Sequence, residues 1–176
     1  AVAPRIAEKA DVEHDVAGAI VTPGMIDLHT HVYWGGTSIG VEAEPIARRS
    51  GTTTFIDAGT AGPANFPGFR RHVIEPSPVR ILAYLNVSFA GIFAFSRTVM
   101  VGESSDLRLL DLNECVRVAR ENRDLIVGIK VRVGRGAGAG VLRLASGRAP
   151  RWASRSTAGG GPHAGFRPWP PCGAGP

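Results

Sequence analysis

Cysteine is nearly absent: Cys115 and Cys172 are the only two in 176 residues, too few for a disulfide framework or a cysteine-rich zinc module. Aromatic residues are thin at 7%, so the 44% of hydrophobic residues must supply a sizeable core with mainly aliphatic side chains. No run approaches the roughly 18–20 apolar residues of a membrane-spanning helix. Lysine is almost missing as well, with Lys9 and Lys130 set against 18 arginines. The most local deficit is of acid. Residues 1–133 carry 14 basic and 15 acidic side chains, whereas residues 134–176 carry six arginines and no acid. The formal net charge of +5 is therefore a property of the tail. No basic segment followed by an apolar stretch and a cleavage site opens the chain, and a reducing cytoplasm is the expected compartment. The opening Ala1-Val2-Ala3-Pro4 reads as mid-strand sequence without an initiating methionine, so residues are expected upstream.

What is present is an alternation of short apolar runs with amphipathic stretches, the pattern of parallel α/β architecture. Strands are expected at residues 25–28, 53–57, 80–87 and 125–133, and helices at 41–50, 66–75 and from Asp111, as N-cap, through Asn122. The run R-I-L-A-Y-L-N-V at 80–87 is near-continuously apolar, as suits a strand covered on both faces. A long connection with Phe89, Phe93 and Phe95 precedes the third helix. Residues 12–20 read as a strand pair of another sheet. Four βα units are too few to close an eight-stranded barrel, which needs roughly 250 residues. A small open doubly wound sheet, or half of something larger, would fit them.

Two places carry chemistry. His29-Thr30-His31 directly follows the first apolar run, and in extended chain residues i and i+2 point to one face. Two imidazoles converging at a strand's carboxyl end suit a divalent metal; two surface histidines would give the same motif. Asp27 shares their parity. Lys130 interrupts the otherwise apolar Leu125-Ile126-Val127-Gly128-Ile129-Lys130-Val131. A composition that otherwise writes arginine hints here at a need for a deprotonatable amine. Burying an unpaired ammonium costs several kcal/mol at least. It is resolved by a salt bridge (Asp57 being the obvious partner), by solvent access, by a lowered pKa, or by carbon dioxide adding to the neutral amine as a metal-bridging carbamate.

The stretch Val21-Thr22-Pro23-Gly24-Met25-Ile26-Asp27-Leu28-His29-Thr30-His31 resembles the opening of the metal-dependent amidohydrolase superfamily. Tyr33-Trp34-Gly35-Gly36-Thr37-Ser38, Asp57-Ala58-Gly59-Thr60, the loop at 89–103 and Gly128-Ile129-Lys130-Val131-Arg132 narrow the resemblance to its dihydroorotase-like amidohydrolase/deacetylase branch. The resemblance spans about residues 10–133. It implies an α/β chain holding the first half of a (β/α)8 TIM barrel: residues 1–22 a remnant of a small β-sandwich domain, 23–133 the first four β/α units, 134–176 a disordered Gly/Arg/Pro-rich tail. It implies two Zn2+ per site in the complete family, His29 and His31 on the first metal and carboxylated Lys130 bridging both. A metal-activated water would then hydrolyse an amide or ester of a small acylated or cyclic substrate. The family's two further histidines and its aspartate have no counterpart here. His163 is at no strand end, and weak single-site zinc binding without turnover is the expectation for this chain.

The loss of pattern at Gly134 fits a disordered appendage, a truncated product or a frameshift in a GC-rich gene. Residues 151–156, written in GC-rich codons and read from the third base, become V-G-L-P-L, the phrase expected before the family's fifth-strand histidine. Residues 167–173 likewise become A-V-A-A-M-R, a helical fragment, and a frameshifted tail is the favoured reading. An inactive fragment with exposed strand edges is one alternative function. Another is nucleic-acid binding by the basic tail through Trp152, Phe166 and Trp169, but it lacks repeated R-G-G units, and no specific nucleic-acid partner and no membrane partner is expected. A one-zinc, deaminase-like site would not use Lys130. Gly59-Thr60-Ala61-Gly62-Pro63 lacks the ending of a phosphate loop and reads as a strand-to-helix turn at the site's rim. Tyr33 and Trp34 are candidate substrate-pocket residues that could equally plug the core. Asp57 either lines the pocket or, the favoured reading, caps the following turn. Cys115 is expected buried and inert; His14 and His72 are expected on the surface.

Overall fold

The computed structural model describes residues 6, 7, 9–132 and Thr157–Ala158. Apolar, β-branched runs form strands β1 (Met25–Thr30), β2 (Thr52–Ala58), β3 (Arg80–Asn86) and β4 (Ile126–Val131), with a two-residue β5 (Thr157–Ala158). All neighbours pair in parallel, in the order β1-β2-β3-β4-β5. That order decides between the two architectures left open by the sequence. A doubly wound sheet reverses its strand order at a switch point; here every strand lies beside its successor, as in one arc of a barrel.

The helices between the strands are defined by their ends and their apolar faces. Helix α1 (Ala43–Ser50) stops at Gly51, whose φ of 71° lets its N–H reach back to the Ala47 carbonyl at 3.0 Å. Helix α2 is a single turn, Phe66–Phe69, that widens into a π-helical segment, Arg70–Ile74, where the sequence predicts one regular helix. Helix α3 (Leu112–Glu121) begins as expected at Asp111, whose carboxylate accepts from the Glu114 N–H at 3.0 Å. Cys115, Val118 and Ala119, spaced i, i+3, i+4, are its buried stripe, while Arg117 on the outer face bonds Glu114 and Glu121. The core lies between sheet and helices: Phe55, Ile81, Ala83, Leu85 and Ile129 meet Phe66, Phe69, Cys115 and Val118. Among the described residues no helix is long and apolar enough to cross a membrane.

One expectation fares differently. Described residues between 6 and 24 form no strand, so the β-sandwich remnant is not seen there; residues 12–20 are exposed and hold only a turn. Ala17 (φ 47°) and Gly18 (φ 81°) bring the Ala19 N–H to the Val16 carbonyl at 2.8 Å. The turn is of hairpin type, but a lone two-stranded hairpin is marginal without a sheet to cover. Of the tail, Thr157–Ala158 pair with Lys130 and Val131; the rest of 134–176, with His163 and Cys172, lies outside the described residues.

Candidate metal centre

His29 ends the exposed side of β1 and His31 follows it, half-buried. Their rings stand edge to face with centroids 5.7 Å apart. His31 is fixed through Nδ1, 2.8 Å from the Thr60 hydroxyl. Burial, reinforced by His29, Lys130 and Arg132, pushes the His31 pKa down to about 4. Burial and then Lys130 lower His29, with Asp27 opposing. Both imidazoles are thus held neutral at pH 7, the state in which a ring nitrogen has a lone pair to give. Asp27 does not join them: its carboxylate accepts from the His29 backbone N–H at 3.0 Å, and a register irregularity separates it from Thr30.

Asp57, fully buried near the end of β2, gathers donors from two elements. Its Oδ1 accepts from the Thr60 N–H at 2.7 Å, and its Oδ2 from the Val32 N–H at 2.9 Å and the Thr60 hydroxyl at 2.7 Å. Burial pushes its pKa up to about 6 against those hydrogen bonds. The carboxylate therefore ties the chain leaving β1 to the turn leaving β2, the capping role rather than the pocket wall. It forms no ion pair with Lys130, though its charge still acts on the amine.

Lys130 sits near the carboxyl end of β4, opposite Asn86 of β3, with 3% of its surface exposed. Its stem packs on Gly59, whose φ is +80°. A Cβ there would stand 2.4 Å from the Lys130 Cβ, so only glycine leaves room. Asn86 holds that turn from the other side, donating its Nδ2 to the Gly59 carbonyl at 2.8 Å. Among the described residues Lys130 forms no ion pair. Burial and then Arg132 lower its pKa, opposed by Glu103 and Asp57. Arg132 lies 3.5 Å from the buried Glu103 carboxylate and over the Phe95 ring at 5.1 Å.

Gly59 and Thr60 thus link the two halves of the constellation, one packed on Lys130 and the other bonded to His31. In the sequence Thr60 reads only as part of a turn at the site's rim, and Asn86, Glu103 and Arg132 carry no individual role; each acts across a loop, where spacing carries no signal. The two aromatic candidates have different surroundings. Tyr33 stacks on Phe69 at 4.6 Å and donates its hydroxyl to the Asn65 carbonyl, so it plugs the core. Trp34, 60% exposed, lines a groove of about 270 Å³ with Glu42, Pro45 and His72. Cys115 is buried, its thiol pKa pushed up to about 12 by that burial.

Among the described residues no group of three or more His, Cys, Asp and Glu side chains is placed to hold a metal. Two neutral imidazoles and a buried amine fit part of a divalent-metal donor set and fall short of the four ligands of a closed zinc site.

No protein-family model matches the chain. It is 42% identical over 133 residues to a deacetylase of Agrobacterium fabrum and 45% identical over 124 residues to a deacetylase of Brucella anthropi, covering 75% and 70% of this chain. Those matches cover 32% and 30% of the relatives, so the chain spans about a third of their length. Among solved structures, a dihydroorotase superposes with a TM-score of 0.64 at 40% identity, over 69% of this chain and 32% of that one. An adenine deaminase superposes with a TM-score of 0.61 at 29% identity, over 70% and 33%. The parallel arc of four strands with its helices is part of a TIM barrel, and over this matched part the chain belongs to the amidohydrolase superfamily.

Proposed function

We propose that the chain carries the amino-terminal ligands of a zinc-dependent hydrolase of amide or ester bonds, acting on a small acylated or cyclic substrate in the manner of the deacetylases it is similar to. The observation that carries this reading is the convergence of His29, His31 and the unpaired, buried Lys130 on one carboxyl edge of the sheet, joined through Gly59 and Thr60. A bound divalent ion supplies Lewis acidity and lowers the pKa of its water. The chain's part is to hold two imidazoles neutral, to keep the Lys130 amine dry and biased toward its uncharged form, and to fix both against a rigid turn. An uncharged amine is the form that takes up carbon dioxide as a carbamate, which would turn Lys130 from a cation into an oxygen ligand. The adenine deaminase similarity leaves a one-zinc site as the second reading; the burial of Lys130 without a partner favours the first.

Zinc titration of the full chain by calorimetry tests the proposal. One weakly bound zinc is expected, lost in His29→Ala and in His31→Ala, with no hydrolysis of acylated substrates by this chain alone. Zinc binding that survives both substitutions places the metal elsewhere and sinks the assignment. Tight binding of two zinc ions, or hydrolysis abolished by Lys130→Ala, would show that this chain is competent by itself.

A further inference from the structure

The hydrogen bonds around Thr60 determine which nitrogen of His31 is free. The Thr60 hydroxyl has one proton, and it goes to Asp57 Oδ2 at 2.7 Å. Both Asp57 oxygens already face donors that have no other role to play, the Val32 N–H on Oδ2 and the Thr60 N–H on Oδ1. A carboxylate so placed accepts and returns no proton. The Thr60 oxygen must then meet His31 Nδ1, 2.8 Å away, as an acceptor, so Nδ1 carries the hydrogen. A neutral imidazole has a single N–H, and Nε2 is left bare. Asp57 and Thr60 are fully buried, so water does not compete for these groups.

We infer that Asp57 and Thr60 are a positioning pair that locks His31 in the Nδ1–H tautomer and so presents its Nε2 lone pair to the metal. The chain of contacts runs from the β2 terminus, through one hydroxyl, to the imidazole beyond β1. It opposes the tautomer that a free histidine side chain prefers in water, which carries its hydrogen on Nε2. Use of the bare nitrogen as a metal ligand rests on the proposed function; the tautomer does not.

The test is a long-range proton–nitrogen correlation spectrum of the imidazoles in the metal-free full chain at pH 8, with His31 assigned by His31→Gln. The native chain is expected to show Nδ1–H at His31. Thr60→Val should move it to Nε2–H or a mixture, while Thr60→Ser, which keeps the hydroxyl, should leave it in place. An Nε2–H pattern in the native chain, or an unchanged tautomer in a folded Thr60→Val, overturns the inference. If Thr60→Val does not fold, the native spectrum decides alone. A purely structural Thr60 would alter stability without moving the tautomer. Titration with zinc alone then reads the consequence: Thr60→Val should bind 10–100-fold more weakly, and Thr60→Ser about as well as the native chain. Absence of zinc binding in a native chain that shows Nδ1–H overturns the metal site and not the positioning pair.

Discussion

Asp57 and His31 titrate in opposite senses, and at the scale of single residues this gives the chain a characteristic acid profile. The Asp57 pKa is raised from 3.8 to about 6, so its contribution to stability is fully present below about 4 and is lost as the pH rises through 6. The magnitude is on the order of 2–3 kcal/mol. The His31 pKa is depressed from 6.5 to about 4, so its contribution is present above 6.5 and is lost as the pH falls through 4. The two slopes offset each other between pH 4 and 6. His29, whose pKa is also lowered, adds to the rise, so urea unfolding of the native, metal-free chain should strengthen only gently with pH in that window. Asp57→Asn removes one slope, and its stability should climb with pH from 4 to 6.5. A native chain whose stability rises there as steeply as that of Asp57→Asn would show that the Asp57 shift is absent. Neither shift was legible in the sequence: Asp57 reads there as a turn cap or a pocket residue, but the Val32 and Thr60 donors that surround it come from two different loops.

At the scale of elements, the segments with local signals were the legible ones. Asp111, placed before a 3.6-residue apolar stripe, announces α3, and Gly51 announces the end of α1. The four strands were legible as short, nearly unbroken apolar runs bounded by turn residues, although β1 is largely exposed and β3 alternates buried with partly exposed positions. The π-helical continuation of α2 was not, because a helix of that width differs from a regular one only in its hydrogen-bond partners; the Glu75 N–H reaches Arg70 rather than the residue after it. The strand pair expected at 12–20 failed for a related reason. Its turn chemistry is local and is found, while its pairing needs partners that the spacing of apolar residues cannot supply. Asp111→Ala should cost about 1 kcal/mol in urea unfolding, the usual worth of an N-cap, and Asp111→Ser should recover most of it. An unchanged midpoint in Asp111→Ala would show that α3 is held by its buried stripe alone.

At the scale of the whole molecule, β1 is the exposed side of the sheet: among the described residues it pairs with β2 alone, and Met25, Ile26 and Leu28 are each more than half exposed. An apolar strand edge in water is a template for another chain. Ile26→Lys should reduce self-association in sedimentation velocity while leaving the far-ultraviolet circular dichroism unchanged. Association that persists in this variant would locate the sticky surface elsewhere. The site at this scale was half legible. His29, His31 and Lys130 stood out as polar groups in apolar runs, whereas the turn that joins them was visible only as Gly59-Thr60, two common loop residues.

The order of the sheet has a consequence for how the chain is made. Successive strands begin at residues 25, 52, 80 and 126, and each pairs with the strand synthesised just before it. Among the described strands none has to wait for a distant one, so from β2 onward each strand leaving the ribosome meets a finished edge. Each pairing needs a helix-length crossover to close first, which is slow for parallel strands, but amino-terminal parts can fold while the rest is still being translated. The arc can therefore grow in the direction of synthesis, with the histidine pair placed before the lysine strand emerges.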